Sequence, residues 1–529
     1  MPDSHRKQSI ESILNEEYSV RYGDDAWRQQ VTAITAIADA VGTTYGPYGH
    51  DKLIVDNGGN VEVTGETVSI LRRLLIEDPV VRMVKDVANS QVFTGGDGTT
   101  ATVVLLGALI ERADVLVEQG LHPTTIAEGY ARATDIATER LVELSRTYDI
   151  TDDDVCERVA RTVMSGTNLA PASQSLPQLV VEAVKRVTDG YDVDLNALRV
   201  RSDRGPGIAE SELLSGALLD AVPKYMATAK LDDARILFID GAINPHTTQT
   251  EMSFSIESND TLDAVRRAES DAVATVRDRL TDLGVDVVVA DSASDRIRDS
   301  LADEQISLLT SLSGTDRRFF RRTFDFDSVS EPMAATEDNI LTADVEFSED
   351  ENYTIVTTPD AGTATIRLYG GSDEQLEELE NVFDKAIETV AHVATDGRVL
   401  PGGGASEAAM AAAIRGQTPS VKGREQLAVY AFAEALETLP RLLASNAGLS
   451  GMDSVLALKT EHSTGSDASG IDADSGEMCD MYNEGVLDTY VSKKQMLSNV
   501  QQAVRTIVRI DGLIRAPTDE SPSETGSTV

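Results

Sequence analysis

The feature that most limits the fold of this chain is a change of pattern along its length. Residues 1–145 carry apolar side chains mostly at helical spacing, with one short excursion to strand. Between about 146 and 365, short apolar runs typical of buried strands alternate with helical stretches, and helical spacing then returns. A helical pattern that is interrupted and later resumed predicts one domain assembled from both ends of the chain around an α/β insert.

Local patterns in the two end regions support this prediction. Residues 33–46 and 99–120 predict helices that stop at glycine, and Pro123 suits the first turn of the next helix. Residues 51–65 form two short β runs around Asn57-Gly58-Gly59, which predicts a hairpin. Residues 496–514 predict one further helix.

The insert and the C-terminus have different patterns. Residues 234–240 and 285–291 predict buried strands, with a helix over 261–284 between them. Met252, Phe254 and Ile256 alternate with polar residues, as in a half-exposed strand over 251–258. Residues 518–529 have almost no apolar side chains, so we expect a disordered acidic tail.

The net charge of the chain limits which classes of molecule it can bind. The 89 acidic and 46 basic residues give a formal net charge of −43, and the acidic residues are spread along the whole chain. This balance argues against a nucleic-acid or anionic-membrane partner. It is typical of a protein adapted to very high salt, because the Debye length falls to about 3 Å at 1 M and like charges are then screened.

The cysteines and the hydropathy exclude other classes of protein. Cys156 and Cys479 lie far apart and have no paired spacing, so neither a disulfide framework nor a zinc site is indicated. No apolar stretch approaches 18 residues, and the N-terminus lacks a signal-peptide core. We therefore expect a soluble, cytoplasmic protein.

Residues 93–104, FTGGDGTTATVV, indicate a phosphate site. Three glycines permit positive φ and close approach, and the helix that follows directs free N–H groups toward the same place. Asp97 can hold Mg²⁺, and Thr99 and Thr100 offer hydroxyls. A tight helix-capping turn is the alternative explanation of this stretch taken alone. Glycine-rich turns at 43–52 and 400–416 also border helices and favour the phosphate site, whereas no P-loop spacing is present.

Five motifs occur in the order and at the spacing of group II chaperonins, the archaeal thermosome and its eukaryotic cytosolic relatives. They are TTYGPYGHDKLIVD, GGDGTTATVVLLGALI, GLHPTTIAEGY, LPGGGASEAAM and NEGVLDTYVSKKQ followed by VRIDGLI. The resemblance covers about residues 17–516. It implies an ATP-dependent folding chaperone whose subunits, identical or paralogous, form a double ring around unfolded client proteins.

The resemblance also implies a multidomain fold. The expected parts are a mostly α equatorial ATP-binding domain, an α/β apical domain with a helical protrusion that serves as a lid, and a small α+β intermediate domain. The corresponding segments are equatorial 1–145, intermediate 146–215, apical 216–365 with the protrusion at about 244–280, intermediate 366–401, and equatorial 402–529.

The same resemblance implies an ATP and Mg²⁺ site. Asp97 corresponds to the magnesium ligand, Gly403 and Gly404 to the turn near the ribose, and Asp488 to the acidic residue on the nucleoside side. The remaining expected nucleotide-binding residues are Gly46, Pro47, Gly49, Gly96, Gly98, Thr99 and Thr100.

Departures from the family pattern fall on the catalytic positions. Glu66 stands where the family has a catalytic aspartate, and Lys385 stands where a second aspartate is thought to orient the attacking water. Thr167 and Tyr48 replace two family lysines. A shift of about 1 Å can cost on the order of 10²-fold in rate, and loss of a general base about 10²–10⁴-fold. Three alternatives stay open. Glu66 is a working substitute for the aspartate, or Lys385 is a solvated helix-face charge with the alignment shifted by one residue, or Lys385 replaces a missing cation by pairing with the γ-phosphate.

Three functions follow from these observations. The first is an ATP-dependent protein-folding chaperonin subunit from a salt-loving archaeon. The second is a ring-forming structural subunit that binds nucleotide but hydrolyses ATP poorly, because its catalytic positions hold Glu66 and Lys385. The third is a subunit that has also lost client binding, since the protrusion contains polar replacements such as SNDTLD.

Overall fold

The computed structural model describes residues 19–515, except 56–58, 60, 75–78, 167–174, 206, 227, 245–258, 325–327, 349–351 and 360. The half-exposed strand expected at 251–258 and the tail expected at 518–529 lie outside the described residues. None of the helices in the described part combines the length and apolar character that crossing a bilayer requires.

The α-helices of the described residues are numbered here in chain order. They are α1 Asp24–Gly42, α2 Thr67–Arg73, α3 Pro79–Gly95, α4 Thr99–Glu118, α5 Pro123–Leu144, α6 Asp153–Met164, α7 Leu176–Arg186, α8 Asn259–Asp282, α9 Asp295–Asp303, α10 Gly314–Phe324, α11 Asp373–Asp396, α12 Ala405–Gln417, α13 Glu425–Leu436, α14 Thr438–Asn446, α15 Gly451–Ser463, α16 Met481–Glu484 and α17 Tyr490–Ile507.

The strands are numbered in the same way. They are β1 Ser19–Tyr22, β2 Lys52–Val55, β3 Val61–Thr64, β4 Arg146–Thr147, β5 Thr188–Asp189, β6 Asp192–Val193, β7 Leu198–Arg204, β8 Glu212–Leu214, β9 Gly216–Leu219, β10 Lys230–Ile243, β11 Val287–Ala293, β12 Ser307–Leu309, β13 Ile340–Ser348, β14 Tyr353–Thr357, β15 Ala364–Gly370, β16 Arg398–Pro401, β17 Ser469–Ile471, β18 Met478–Asp480, β19 Leu487–Thr489 and β20 Gly512–Arg515.

The chain forms two compact units. The first consists of Met1–Pro171 and Asn381–Val529, and the second of Ala172–Glu380. The first unit, which we call the split unit, is thus built from both ends of the chain. The second unit is continuous in sequence, and we call it the central unit.

Helix α4 lies at the centre of the split unit. Its apolar residues occur on all sides instead of along one stripe, and most of the helix between Thr99 and Leu116 is buried. A helix that is apolar all round belongs in a core, because every face needs a packing partner. Helices α1, α3, α5, α13 and α17 supply those partners in one continuous apolar cluster. Tyr130 of α5 meets Phe432 of α13 edge to face, with ring centroids 5.7 Å apart.

Among the sequence predictions for the split unit, the helix over 33–46 is confirmed only as far as Gly42, where α1 ends. Strands β2 and β3 pair antiparallel as the predicted hairpin, and Pro123 begins α5. The prediction of helix over 496–514 is wrong beyond Ile507, where α17 ends. Gly512–Arg515 form β20 instead, because they pair antiparallel with Ser19–Tyr22 from the other end of the chain.

The central unit is built around a six-stranded mixed sheet with the strand order β12-β11-β10-β13-β14-β9. Strands β10, β11 and β12 are parallel, whereas β13, β14 and β9 are antiparallel to their neighbours. Alternate residues of β10 enter different apolar clusters: Ile236 and Phe238 pack with α10, and Leu237 and Ile239 pack with α8 and α9. This alternation follows from the two-residue period of a strand that is buried on both faces.

A small sheet in the split unit places one part of the predicted site. Strand β16 pairs antiparallel with β19 and with β4. The register sets Leu400 opposite Asp488 and Pro401 opposite Leu487. The glycine turn that follows β16 therefore lies beside the strand that carries Asp488.

Candidate functional site

The loop between α3 and α4 has the backbone conformation that its glycines permit. Gly96 has φ 70° and Gly98 has φ 85°, in the left-handed region that L side chains rarely adopt. Gln91 Nε2 donates hydrogen bonds to the carbonyl of Asp97 at 2.7 Å and to that of Ser492 at 3.1 Å. Gln91 of α3 therefore ties the loop to α17.

The absence of side chains at the glycines lets neighbouring groups approach this loop. A Cβ on Gly95 would lie 2.2 Å from Gln91 Nε2, which is closer than any real contact. A Cβ on Gly96 would lie 3.1 Å from Glu388 Cβ and 3.4 Å from the backbone nitrogen of Thr389. Helix α11 thus packs directly on the loop.

Asp97 is the half-buried carboxyl group at the centre of this loop. Burial raises its pKa, against the effects of the Gly98 backbone N–H and the charges of Lys385 and Lys493, which lower it. The charge of Asp488 adds to the increase. These electrostatic partners show that the structure brings together residues from three distant parts of the sequence around Asp97.

Two hydroxyl groups follow the loop. Thr99 Oγ1 is buried and has no hydrogen-bond partner among the described residues. Thr100 Oγ1 lies 2.8 Å from Thr67 Oγ1, so the first turn of α4 touches the first turn of α2. An unpaired buried hydroxyl beside free N–H groups at the start of a 20-residue helix fits a bound anion, because it costs free energy until it is paired.

The predicted first phosphate turn is compact. Gly49 N–H donates to the Gly46 carbonyl at 3.0 Å, and a Cβ on Gly49 would lie 2.2 Å from the Thr44 carbonyl oxygen. Gly46 has φ 86° and faces Leu443 of α14. Pro47 lies inside the same turn. Substitution at either glycine would therefore displace the turn.

The predicted ribose turn is equally constrained. Gly403 has φ 59° and Gly404 has φ 78°, and Gly404 caps the start of α12. A Cβ on Gly403 would lie 2.9 Å from the Ile471 carbonyl oxygen, and one on Gly404 would lie 2.6 Å from Pro440 Cβ. Strand β17 and helix α14 hold this turn in place.

A buried charge cluster joins the turns. Lys493 Nζ lies 2.6 Å from Glu407 Oε1 and 3.0 Å from Asp488 Oδ2, and Glu407 is completely buried. Burial lowers the pKa of Lys493, but the charges of Asp488 and Glu407 outweigh that effect and hold the pKa well above its usual value. Burial also raises the pKa of Tyr45, whose electrostatic neighbours include Lys493 and Asp97. The first turn therefore belongs to the same site.

Glu66 and Lys385, which stand at the two positions predicted to be catalytic, contact each other. Lys385 Nζ lies 3.1 Å from Glu66 Oε1, and both side chains are largely buried. Ser69 Oγ donates to Glu66 Oε2 at 2.6 Å. Burial raises the pKa of Glu66, but the charge of Lys385 and the hydrogen bond from Ser69 outweigh it, so the pKa is lower than usual. Glu66 is therefore an ionised, acceptor-only carboxylate.

The donor set suits magnesium better than a metal that needs a protein cage. Among the described residues, no three His, Cys, Asp or Glu side chains lie together as a metal site. Mg²⁺ is commonly held by one or two carboxylates, with phosphate oxygens and water completing the octahedron. Asp97 in a loop that exposes backbone N–H groups fits that pattern.

Sequence reasoning missed some residues, and the structure removes one alternative. Glu407 and Lys493 were not predicted, although a Glu in an alanine-rich apolar helix is a signal that a buried partner is needed. The reading of Lys385 as a solvated surface charge is excluded, because its ammonium group is paired and about one-fifth exposed. Tyr48 is exposed and donates to Asp474 at 2.7 Å. Thr167 lies outside the described residues.

The family model described as the TCP-1/cpn60 chaperonin family matches residues 37–518. The chain is 34% identical over 519 residues to thermosome subunit alpha of Halobacterium salinarum, which covers 95% of this chain and 91% of that protein. It is 35% identical over 529 residues to thermosome subunit 1 of Haloferax volcanii, with 97% and 93% coverage. It is 34% identical over 514 residues to a thermosome subunit of Methanopyrus kandleri, with 95% and 94% coverage.

Matches of this length and identity show the family. The chain belongs to the TCP-1/cpn60 chaperonin family, and the predicted resemblance to the archaeal thermosome is confirmed.

Proposed function

We propose that this chaperonin is an ATP-dependent protein-folding subunit that binds Mg-ATP in its split unit and acts within a double ring. The observation that carries the nucleotide site is the Asp97 loop. It combines one carboxylate, two glycines at positive φ and a buried unpaired Thr99 hydroxyl at the start of α4. Backbone N–H groups at a helix start and a single magnesium ligand are what a triphosphate requires.

Each predicted residue receives a role in this proposal. Gly96, Gly98, Thr99 and Thr100 would lie along the phosphates, and Asp97 would hold the magnesium ion. The turn with Gly46, Pro47 and Gly49 would contact the phosphates from the side of α1. Gly403 and Gly404 would face the ribose, and Asp488 would face the nucleoside while Lys493 neutralises it. Bound magnesium would supply positive charge against the phosphate oxygens.

A second candidate function remains for the hydrolysis step. Glu66 and Lys385 form an ion pair at the positions expected to carry the two catalytic aspartates. A ring subunit that binds nucleotide but hydrolyses ATP poorly would follow if the paired carboxylate is a weak proton acceptor. The ion pair bears only on the rate of ATP hydrolysis, and the proposal that the split unit binds nucleotide does not depend on it.

The partners and the domain division are proposals as well. Leu53, Val55, Val61 and Val63 expose the outer face of the β2–β3 hairpin, which supports its use in contacts between identical or paralogous subunits. We propose the equatorial, intermediate and apical segments with the boundaries given above, and a lid at 244–280 of which α8 from Asn259 onward is described. Unfolded proteins are the proposed clients. A cytoplasmic location and the lack of nucleic-acid or membrane partners rest on the composition.

Calorimetric titration with ATP in multimolar KCl and magnesium tests the nucleotide site. We expect Asp97→Ala to weaken Mg-ATP binding at least tenfold, because it removes the one carboxylate of the loop. Asp86→Ala, at an exposed position of α3, is the matched control and should bind like the unmodified protein. Binding that is unaffected by both Asp97→Ala and magnesium removal would refute the proposed site. Steady-state ATP hydrolysis by the same oligomers separates the two candidate functions.

A further inference from the structure

An ion pair with Lys385 and a hydrogen bond from Ser69 together occupy both oxygens of the Glu66 carboxylate. Lys385 Nζ contacts Oε1 at 3.1 Å, and Ser69 Oγ donates to Oε2 at 2.6 Å. The two side chains are 16% and 22% exposed, so water screens the pair only weakly. The Lys385 ammonium group carries three N–H donors, and the contact with Glu66 uses only some of them.

The pair stands at the meeting point of the elements that form the phosphate loop. Glu66 directly precedes α2, whose Thr67 hydroxyl lies 2.8 Å from that of Thr100. On the other side, Thr389 Oγ1 donates to the Lys385 carbonyl at 2.7 Å, and the Thr389 backbone packs on Gly96. Lys385 is thus one helical turn from the residue that touches the loop.

The charges favour an exchange of partners. Without nucleotide, the Lys385 ammonium acts on two carboxylates, Glu66 by direct contact and Asp97 at longer range. The terminal phosphate of a nucleoside triphosphate brings additional negative charge that the corresponding diphosphate lacks. The Lys side chain has a flexible four-carbon stem, so its ammonium group can move to a new acceptor without displacing α11.

We propose that Lys385 is a specificity-determining residue that leaves Glu66 and binds the terminal phosphate, so that the ion pair sets the preference of this site for ATP over ADP. The inference rests on the proposed nucleotide site. Glu66 competes with the phosphate for the same ammonium group, so the two partners of the ion pair act in opposite directions on triphosphate binding. If the ion pair were merely structural, substitution of Lys385 and substitution of Glu66 would change triphosphate binding in the same direction.

The test is calorimetric titration of the full-length oligomer in multimolar KCl and magnesium, with ADP and with a non-hydrolysable ATP analogue. We expect Lys385→Gln to weaken binding of the analogue by about tenfold or more, because hydrogen bonds to charged groups contribute at least that much, and to leave ADP binding unchanged. Glu66→Gln should tighten binding of the analogue several-fold, because Lys385 no longer has to leave a carboxylate.

Two further variants complete the design. Lys459→Gln breaks the ion pair between Lys459 of α15 and Glu437, which lies between α13 and α14, and should leave both affinities unchanged. Lys385→Arg keeps the charge and should retain a preference for the analogue, which separates loss of charge from loss of folding. Equal effects on the two nucleotides, or weaker analogue binding in Glu66→Gln, would overturn the inference. If the unmodified protein bound neither nucleotide, the proposed function would fail and the ion pair would have no ligand to exchange with.

Discussion

Some buried charged side chains in the split unit have specific partners that explain their presence. Glu407 is completely buried and is neutralised by Lys493, which also contacts Asp488. Removing one partner of such a pair strands the other and costs about 3–5 kcal/mol. His462 of α15 is a contrasting case, because it is buried and only one ring nitrogen is satisfied. Its Nε2 donates to the Ser469 carbonyl at 2.8 Å, whereas Nδ1 has no partner among the described residues.

His462 predicts a loss of stability in mild acid. Burial lowers its pKa from 6.5, chiefly because the charged ring would lose water. The unfolded chain therefore binds this proton at a higher pH than the folded chain does. The stability that neutral His462 contributes is full above about 6.5 and is lost as the pH falls from there through the folded-state pKa. The free energy of unfolding, measured by denaturant titration between pH 7.5 and 5, should fall by up to about 1.4 kcal/mol per pH unit from this one group.

The variant His462→Gln isolates that contribution. Its amide N–H can still donate to the Ser469 carbonyl, but the side chain does not titrate. We expect the variant to show a shallower decline between pH 7.5 and 5 than the unmodified protein. Parallel curves for the two proteins would show that His462 does not control this part of the pH profile.

At the scale of elements, the β2–β3 hairpin differs from the rest of the split unit. Its strands pair antiparallel with Leu53 opposite Val63 and Val55 opposite Val61. These four side chains are 50–67% exposed and lie on one face, because residues two apart in a strand point the same way. A two-stranded hairpin gains little stability alone, and an apolar outer face is a liability in a monomer.

We therefore expect the double variant Leu53→Asp and Val63→Lys to prevent ring assembly while the subunit stays folded. The exposed face loses its apolar area, but the backbone pairing and the core of the split unit are unchanged. Light scattering after size-exclusion chromatography would detect smaller particles, and circular dichroism would retain the helical signal. Tyr191→Ser, at an exposed tip between β5 and β6, is the matched control and should assemble normally. Normal rings from the double variant would exclude this face as an assembly contact.

At the scale of the whole molecule, the dominant property is charge. The formal net charge is −43, and the two haloarchaeal relatives agree with adaptation to high salt. Ion pairs within each unit offset part of the repulsion, for example Arg201 with Asp220 in the central unit and Arg140 with Asp467 in the split unit. Most exposed pairs of this kind contribute only about 0–1 kcal/mol. The remaining repulsion between carboxylates therefore has to be reduced by salt screening.

Lowering KCl from 2 M to 0.1 M is therefore expected to lower the unfolding temperature by several degrees or more. The Debye length grows from about 3 Å at 1 M to about 10 Å at 0.1 M, so carboxylates repel over longer distances. A loss of about 1 kcal/mol shifts the midpoint by about 2–4 °C in a unit of 150–250 residues. Differential scanning fluorimetry across the KCl series measures the shift. An isosmotic sucrose series is the control, and a midpoint independent of KCl would contradict the screening argument.

Much of the fold and part of the site follow from local sequence. Residues 99–120 predict α4, Pro123 predicts the start of α5, and residues 51–65 predict the hairpin, because glycine, proline and short-range periodicity act within a few residues. The Asp97 loop was recognisable for the same reason. The end of α17 was not, since Gly512–Arg515 continue the apolar pattern of a helix but pair with β1.

The sequence by itself determined the family, the split organisation, the glycine turns and the residues that we propose bind phosphate and magnesium. These features depend on covalent geometry, periodicity and composition, which are properties of residues close together in the sequence. Only the tertiary structure decided which charges meet. Glu66 and Lys385 are far apart in the chain, as are Glu407 and Lys493, and neither residue type reveals its partner. An ion pair depends on positions in space to within about an ångström, and such positions are set by the packing of α2, α11, α12 and α17 together.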